Sequence, residues 1–165
     1  MPQRAGLRFV YDWQAVANSL IKRRILMTVT KQETLQECIE YQGQLIAHII
    51  RADMRPEKTE FITPGNVKQQ VGFIVYPAGG EIARHVHKPM ERNLTGMSEV
   101  LLVREGELEV DFYTDEKELI CTRHLEQGDL LLLVSGGHGF RCNEDTVLLE
   151  IKQGPYIGPE EKERF

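Results

Sequence analysis

The sequence is short of the features that mark a membrane protein, a disulfide scaffold or a nucleic-acid binder. No apolar run in its 165 residues approaches the roughly 20 that a spanning helix needs. The opening "MPQRAGLRFVYDW" has no continuous apolar core of the kind an export signal carries, so the cytoplasm is the expected compartment. Cysteine is scarce: Cys38, Cys121 and Cys142 are odd in number, scattered and free of any CxxC spacing. That excludes a zinc-finger pattern and a disulfide framework, and it reads as structural thiols in a reducing compartment. Positive charge is also limited, with 20 Lys and Arg against 25 Asp and Glu, a net charge of -5 and a pI near 5.6. A broad nucleic-acid footprint needs clustered Lys and Arg. The basic cluster Lys22-Arg23-Arg24 is short and reads as a solvated helix face. No internal repeat or low-complexity tract stands out.

What remains is the composition of a soluble globular protein, 41% hydrophobic and 27% charged, long enough for one domain with a core. Residues 1–42 are expected to form a partly helical N-terminal extension. Within it Trp13, Val16, Leu20 and Ile21 fall at near-helical spacing. Met27 opens a fresh start, and residues 1–26 are expected to be poorly ordered. From about Gly43 the signals turn to strand. "QLIAHIIRA" and "TEFITP" are short apolar runs parted by Pro56, and "QQVGFIVYPAGGEIARHVH" alternates around a Pro-Ala-Gly-Gly turn. "SEVLLVREGELEVDFYT" reads as two strands joined at Arg104-Glu105-Gly106. "KELICTRHLEQGDLLLLV" reads as two joined at Glu126-Gln127-Gly128. "HGFRC" and "TVLLEIKQG" read as a hairpin around Asn143-Glu144-Asp145. Short strands at intervals of about ten residues with glycine-bearing turns predict an all-β sandwich or barrel. It is expected over residues 43–158, followed by a tail over 159–165.

The chemistry concentrates in "EIARHVHKPMERNLTGMSEVLLVREGELEV". On a strand, residues i and i+2 face one side, which would project His85 and His87 together. A carboxylate from a neighbouring strand would complete an N,N,O set able to hold Fe, Mn, Zn, Ni or Cu with positions left open. On spacing alone HxH is weak evidence, because paired surface histidines are common. The surroundings add to it. Gly79 precedes His85 by five intervening residues, Glu99 precedes Gly106 by six, and Gly128 precedes an apolar strand and "VSGGHGF", which contains His138.

With these residues the sequence resembles the cupin family over about residues 70–155. The resemblance implies a single jelly-roll barrel, open at one end, with one divalent transition metal on its inner wall. The ligands it implies are His85, His87 and Glu99 from the first motif and His138 from the second. Two departures stand out. Eleven residues, "KPMERNLTGMS", separate His87 from Glu99, where the family commonly has three or four. Glu91 sits at the usual gap and is a rival ligand. Glu99 is preferred because Glu99, Leu101 and Val103 would share one strand face, whereas Pro89, Asn93 and Gly96 break the stretch around Glu91. The long segment then becomes a loop at the barrel mouth, with Lys88 placed to meet an anion. In the second motif, rigid counting from Gly128 lands on Gly139. His138 is preferred because Phe140 and Cys142 would share its face while Arg141 and Asn143 face out, and the Gly136-Gly137 pair can absorb a missing residue. His48 and His124 fit neither motif.

The function expected from this reading is a metal-binding cupin acting on a small molecule, a sugar or sugar-derived acid, as an isomerase or oxygenase if it is an enzyme at all. One alternative is a metal-free sugar-nucleotide isomerase or epimerase using histidine acid–base chemistry, in which Tyr76 and His85 could serve. Another is a non-catalytic binding or sensing module. A homodimer formed through edge strands is expected, with neither nucleic acid nor membrane as partner.

Overall fold

A computed structural model describes residues 35–165. Their regular structure is almost entirely strand, arranged in three antiparallel sheets. The extension expected over residues 1–26, with its Trp13 helix, lies outside the described residues. Strands β1 (Gln36–Tyr41) and β2 (Gln44–Ile50) open the chain as a hairpin. Gln42 and Gly43 both take positive φ, 50° and 80°, as a tight two-residue turn between twisted strands requires. Ordered strand therefore begins at Gln36, ahead of the Gly43 boundary read from the sequence. The brief strands β3 (Glu60–Phe61) and β4 (Gly72–Phe73) pair with each other. Six strands follow: β5 (Glu99–Glu105), β6 (Leu108–Tyr113), β7 (Leu119–Leu125), β8 (Leu130–Leu133), β9 (Gly137–Cys142) and β10 (Val147–Lys152).

The larger sheet has the order β1-β2-β8-β5-β10 and a three-stranded sheet the order β7-β6-β9. Of the three sequence-adjacent pairs expected, none is a hairpin: β5 and β6, β7 and β8, and β9 and β10 each divide between the two sheets. Each short turn instead carries the chain from one sheet to the other. Gly106, in the first of these turns, has φ of +80°, and a Cβ there would collide with the carbonyl of Asp145. Only glycine meets both demands. No closed barrel forms among the described residues.

Period-two alternation places the core between the sheets. From the larger sheet come Ile39, Ala47, Ile49, Leu101, Val103, Leu131 and Leu133, and from the smaller Leu108, Val110, Phe112 and Leu125. A register shift between Ile39 and Glu40 skips Ile46. That bulge returns Ile46 to the inner core and turns Leu45 to a second apolar cluster with Val67, Val100 and Leu132. Ion pairs tie the sheets: Arg123 on β7 meets Glu37 on β1 at 2.7 Å. No described helix is long and apolar enough to cross a membrane.

His48 lies on the face of β2 that carries Leu132 and Val100, where it is 1% exposed. Its Nε2 donates to Gln36 Oε1 at 3.1 Å, which leaves Nδ1 as a bare acceptor with no partner among the described residues. Burial lowers its pKa from the ordinary 6.5, because the charged ring is costly in an apolar layer. The unfolded chain then takes up this proton at a higher pH than the native one. Stability is therefore expected to fall as pH drops below about 6.5. His48→Leu should flatten that dependence, since Gln36 is exposed and loses nothing by release. Urea midpoints of both proteins between pH 7.5 and 5.5 check this, and parallel slopes would refute it.

Candidate functional site

The residues singled out from the sequence separate into two places. Glu99 opens β5, and the inner row that crosses the larger sheet runs Ile39, Ala47, Leu133, Glu99, Lys152. It is apolar at β1 and charged at β10. Glu99, Leu101 and Val103 do share the buried face, at 6%, 5% and 2% exposure. On the smaller sheet His138 stands opposite Phe112, and Phe140 opposite Val110. Cross-strand partners share a face, and Phe112 and Val110 are fully buried core residues. His138 therefore points inward, as the apolar parity of "HGFRC" predicts, while Arg141 turns outward to Glu109 and Asp111. The Gly136-Gly137 pair carries the local adjustment. Gly136 has φ of +70°, and a Cβ there would approach the Tyr113 carbonyl to 2.5 Å.

These placements bring His138 Nε2 within 3.4 Å of Glu99 Oε2, a contact that spans the two sheets. Lys152 Nζ lies 3.9 Å from the other carboxylate oxygen. A hydrogen bond from His138 holds the Glu99 carboxyl below the usual carboxylate range against the opposing pull of burial, with the charges of His138, Lys162 and Lys152 adding to it. Glu99 is thus an ionised carboxylate in a largely dry place. Both residues line a cavity of about 630 Å³, together with Tyr113, Ser135, Phe140 and the C-terminal residues 161–165.

His85 and His87 lie elsewhere. Residues 74–98 form no strand, contrary to the alternation read over "QQVGFIVYPAGGEIARHVH". Pro77 and Pro89 cannot donate to a ladder, and Gly79 and Gly96 take φ near +80°, so the pairing fails repeatedly. Both histidines are exposed, with ring centroids 5.2 Å apart. His85 Nδ1 lies 2.9 Å from the Ala83 carbonyl. Val86, at 89% exposure, shows that the segment has no apolar face turned into a core. Glu91, Tyr76, Arg84 and Lys88 are exposed on the same stretch. Among the described residues no three His, Cys, Asp or Glu side chains converge as a metal-holding group. The four residues do not fit one ion as they are placed, because the donors form two separate pairs. His124 is exposed beside Glu107.

No family model, no curated protein and no solved structure matches this chain. Any functional reading rests on its own geometry.

Sequence reasoning missed much of the cavity wall. On β10, Lys152 opposes Glu99 and Glu150 opposes Leu101, while Leu149 and Ile151 are exposed. The contributions of Tyr113 and of residues 161–165 had no local signal, since they depend on where the tail returns.

Proposed function

We propose that the chain binds a small molecule in this cavity, with Glu99 and His138 as its polar centre and a sugar or sugar-derived acid as the ligand class. The observation that carries the reading is the buried, ionised carboxylate facing an imidazole across the two sheets. About 630 Å³ is within the range of small-molecule sites, which are mostly apolar with a few placed polar groups. An imidazole beside a carboxylate can give and take a proton at a bound hydroxyl or at the carbon next to a carbonyl. That favours isomerase or epimerase chemistry without a metal, using His138 and Glu99 rather than Tyr76 and His85. Glu99→Gln and His138→Ala should each weaken binding of a panel of sugars and sugar acids by about tenfold or more, the worth of one hydrogen bond to a charged group. Calorimetry checks the affinities and product assays the turnover. Unchanged affinities in both variants would end this reading, and binding without product would favour a sensing module.

A second reading keeps the cupin-like jelly roll with a divalent metal on His85, His87, Glu99 and His138. Its support is that the β5–β6, β7–β8 and β9–β10 connections cross between two facing sheets and that each half of the donor set is already paired. It requires the 74–98 segment to lie against the cavity. Elemental analysis should then find one Fe, Mn, Zn, Ni or Cu per chain, lost in His87→Ala; a metal-free wild type would remove this alternative.

For a partner we propose a second copy of the chain. Strand β10 is an edge of its sheet, and Val147, Leu149 and Ile151 leave its outer side apolar and exposed. Such an edge invites strand pairing. Sedimentation equilibrium is expected to give a dimer that Leu149→Lys converts to monomer. A monomeric wild type at micromolar concentration would refute it.

A further inference from the structure

We propose that the C-terminal segment, residues 159–165, is the ligand-selecting wall of the cavity, and that Lys162 and Arg164 make it a receptor for an anionic, hydroxylated small molecule bearing a carboxylate or a phosphate. This rests on the small-molecule reading above and goes beyond it by naming the ligand's charge. The segment is fastened on two sides. Lys117, in the β6–β7 turn, pairs with Glu163 at 2.5 Å. The Phe165 ring packs edge-on against Tyr113, with centroids 5.1 Å apart, and Lys117 Nζ sits 5.6 Å from its centre. Gly137 leaves the room Phe165 needs, since a Cβ there would stand 3.3 Å from the ring.

So fastened, Glu161, Lys162, Glu163, Arg164 and Phe165 all line the cavity. Glu163 is paired with Lys117, and Lys152 lies between Glu99 and Glu150. Neither Lys162 nor Arg164 has a carboxylate within ion-pair distance among the described residues, so both cations can meet a ligand. Glu161 is turned away from them: Oε1 accepts the Ile157 N–H at 2.8 Å, and Oε2 is buried. The ligand's anionic group would meet Lys162 and Arg164. Arginine and lysine favour carboxylate and phosphate oxygens alike, so the charge is the shared requirement.

The test uses the full chain, with glucuronate, glucose 6-phosphate and glucose as probes, read by amide chemical shifts at residues 136–139. At least one acid should bind saturably and about tenfold or more tighter than glucose, a factor typical of charge-assisted contacts. Comparing the two acids distinguishes carboxylate from phosphate. The double variant Lys162→Gln, Arg164→Gln should remove the preference by lowering acid affinity to about that of glucose. Lys117→Ala, which releases one fastening without touching a lining cation, should weaken acid binding less. No saturable shift with either acid would overturn the proposal. So would equal binding of glucose, or a preference that survives the double variant. If glucose binds as well as the acids, this inference fails and the small-molecule reading stands. If the acids bind through the tail but Glu99→Gln and His138→Ala leave them unaffected, this inference stands and the Glu99–His138 reading fails.

Discussion

Replacing Asp129 by alanine is expected to cost about 3–5 kcal/mol of stability, the loss typical of breaking a buried charge network from one side. Asp129 is 1% exposed. Its Oδ2 accepts from Arg51 Nη1 at 2.7 Å and from the Glu126 N–H at 3.2 Å, and its Oδ1 accepts from the Ala52 N–H at 2.9 Å. One carboxylate thus ties the end of β2 to the turn between β7 and β8. Gly128 beside it takes φ of +90°, and a Cβ there would press the Ala52 methyl at 2.8 Å, so this turn sits hard against the end of β2. Alanine would leave two backbone N–H groups without their acceptor and the Arg51 guanidinium with the His124 carbonyl but no counter-charge. Asp129→Asn keeps one acceptor and gives up the charge, so it should lose roughly half as much. Urea unfolding of the three proteins measures the differences. A loss under 1 kcal/mol for alanine would mean that water replaces the carboxylate, and the network would then be incidental. Gly128, read from the sequence as the start of the second motif, has a structural task here.

Phe112→Ala should be of similar size, about 3–5 kcal/mol, the usual range for emptying a buried aromatic site. Phe112 is fully buried at the centre of the three-stranded sheet, opposite Cys121 on one side and His138 on the other. Its ring fills the core next to the strand that carries His138. The variant should therefore lose ligand affinity as well as stability, because the imidazole loses the packing that fixes its approach to Glu99. Phe112→Leu refills most of the volume and should cost only about 1–2 kcal/mol with affinity largely kept. Chemical denaturation gives the first quantity and titration with a cavity ligand the second. If Phe112→Ala weakens folding but leaves affinity intact, the His138 position is held by its own strand alone.

The site was half legible in advance, for reasons visible in particular residues. Glu99 and His138 lie on segments that do form strands, "EVLLVRE" and "GHGFRC", where residues two apart share a face, whereas on β10 the apolar Val147, Leu149 and Ile151 are the exposed set. His85 and His87 lie in a stretch with the same kind of alternation that does not pair. Pairing is a property of distant segments and not of the pattern itself. Strand β1, "QECIEY", was missed for the converse reason. Only Ile39 of its six residues is buried, so an edge strand held by backbone bonds left almost no hydrophobic signal.

By itself the sequence determined the all-β class, most strand positions, the inward turn of Glu99 and His138, and the outward turn of Arg141. These follow from period-two patterning and from where glycine and proline fall, which are local properties. The tertiary structure alone decided which strands share a sheet. The same short turns could have closed hairpins, but they carry the chain between two sheets that close over one core, because each sheet has an apolar face to bury against the other. That choice brings Glu99 to His138, turns Lys152 inward, and leaves the tail to return across the cavity with Lys162 and Arg164. Contacts between residues so far apart in the chain are set by how the sheets close over one another, and no local pattern encodes them.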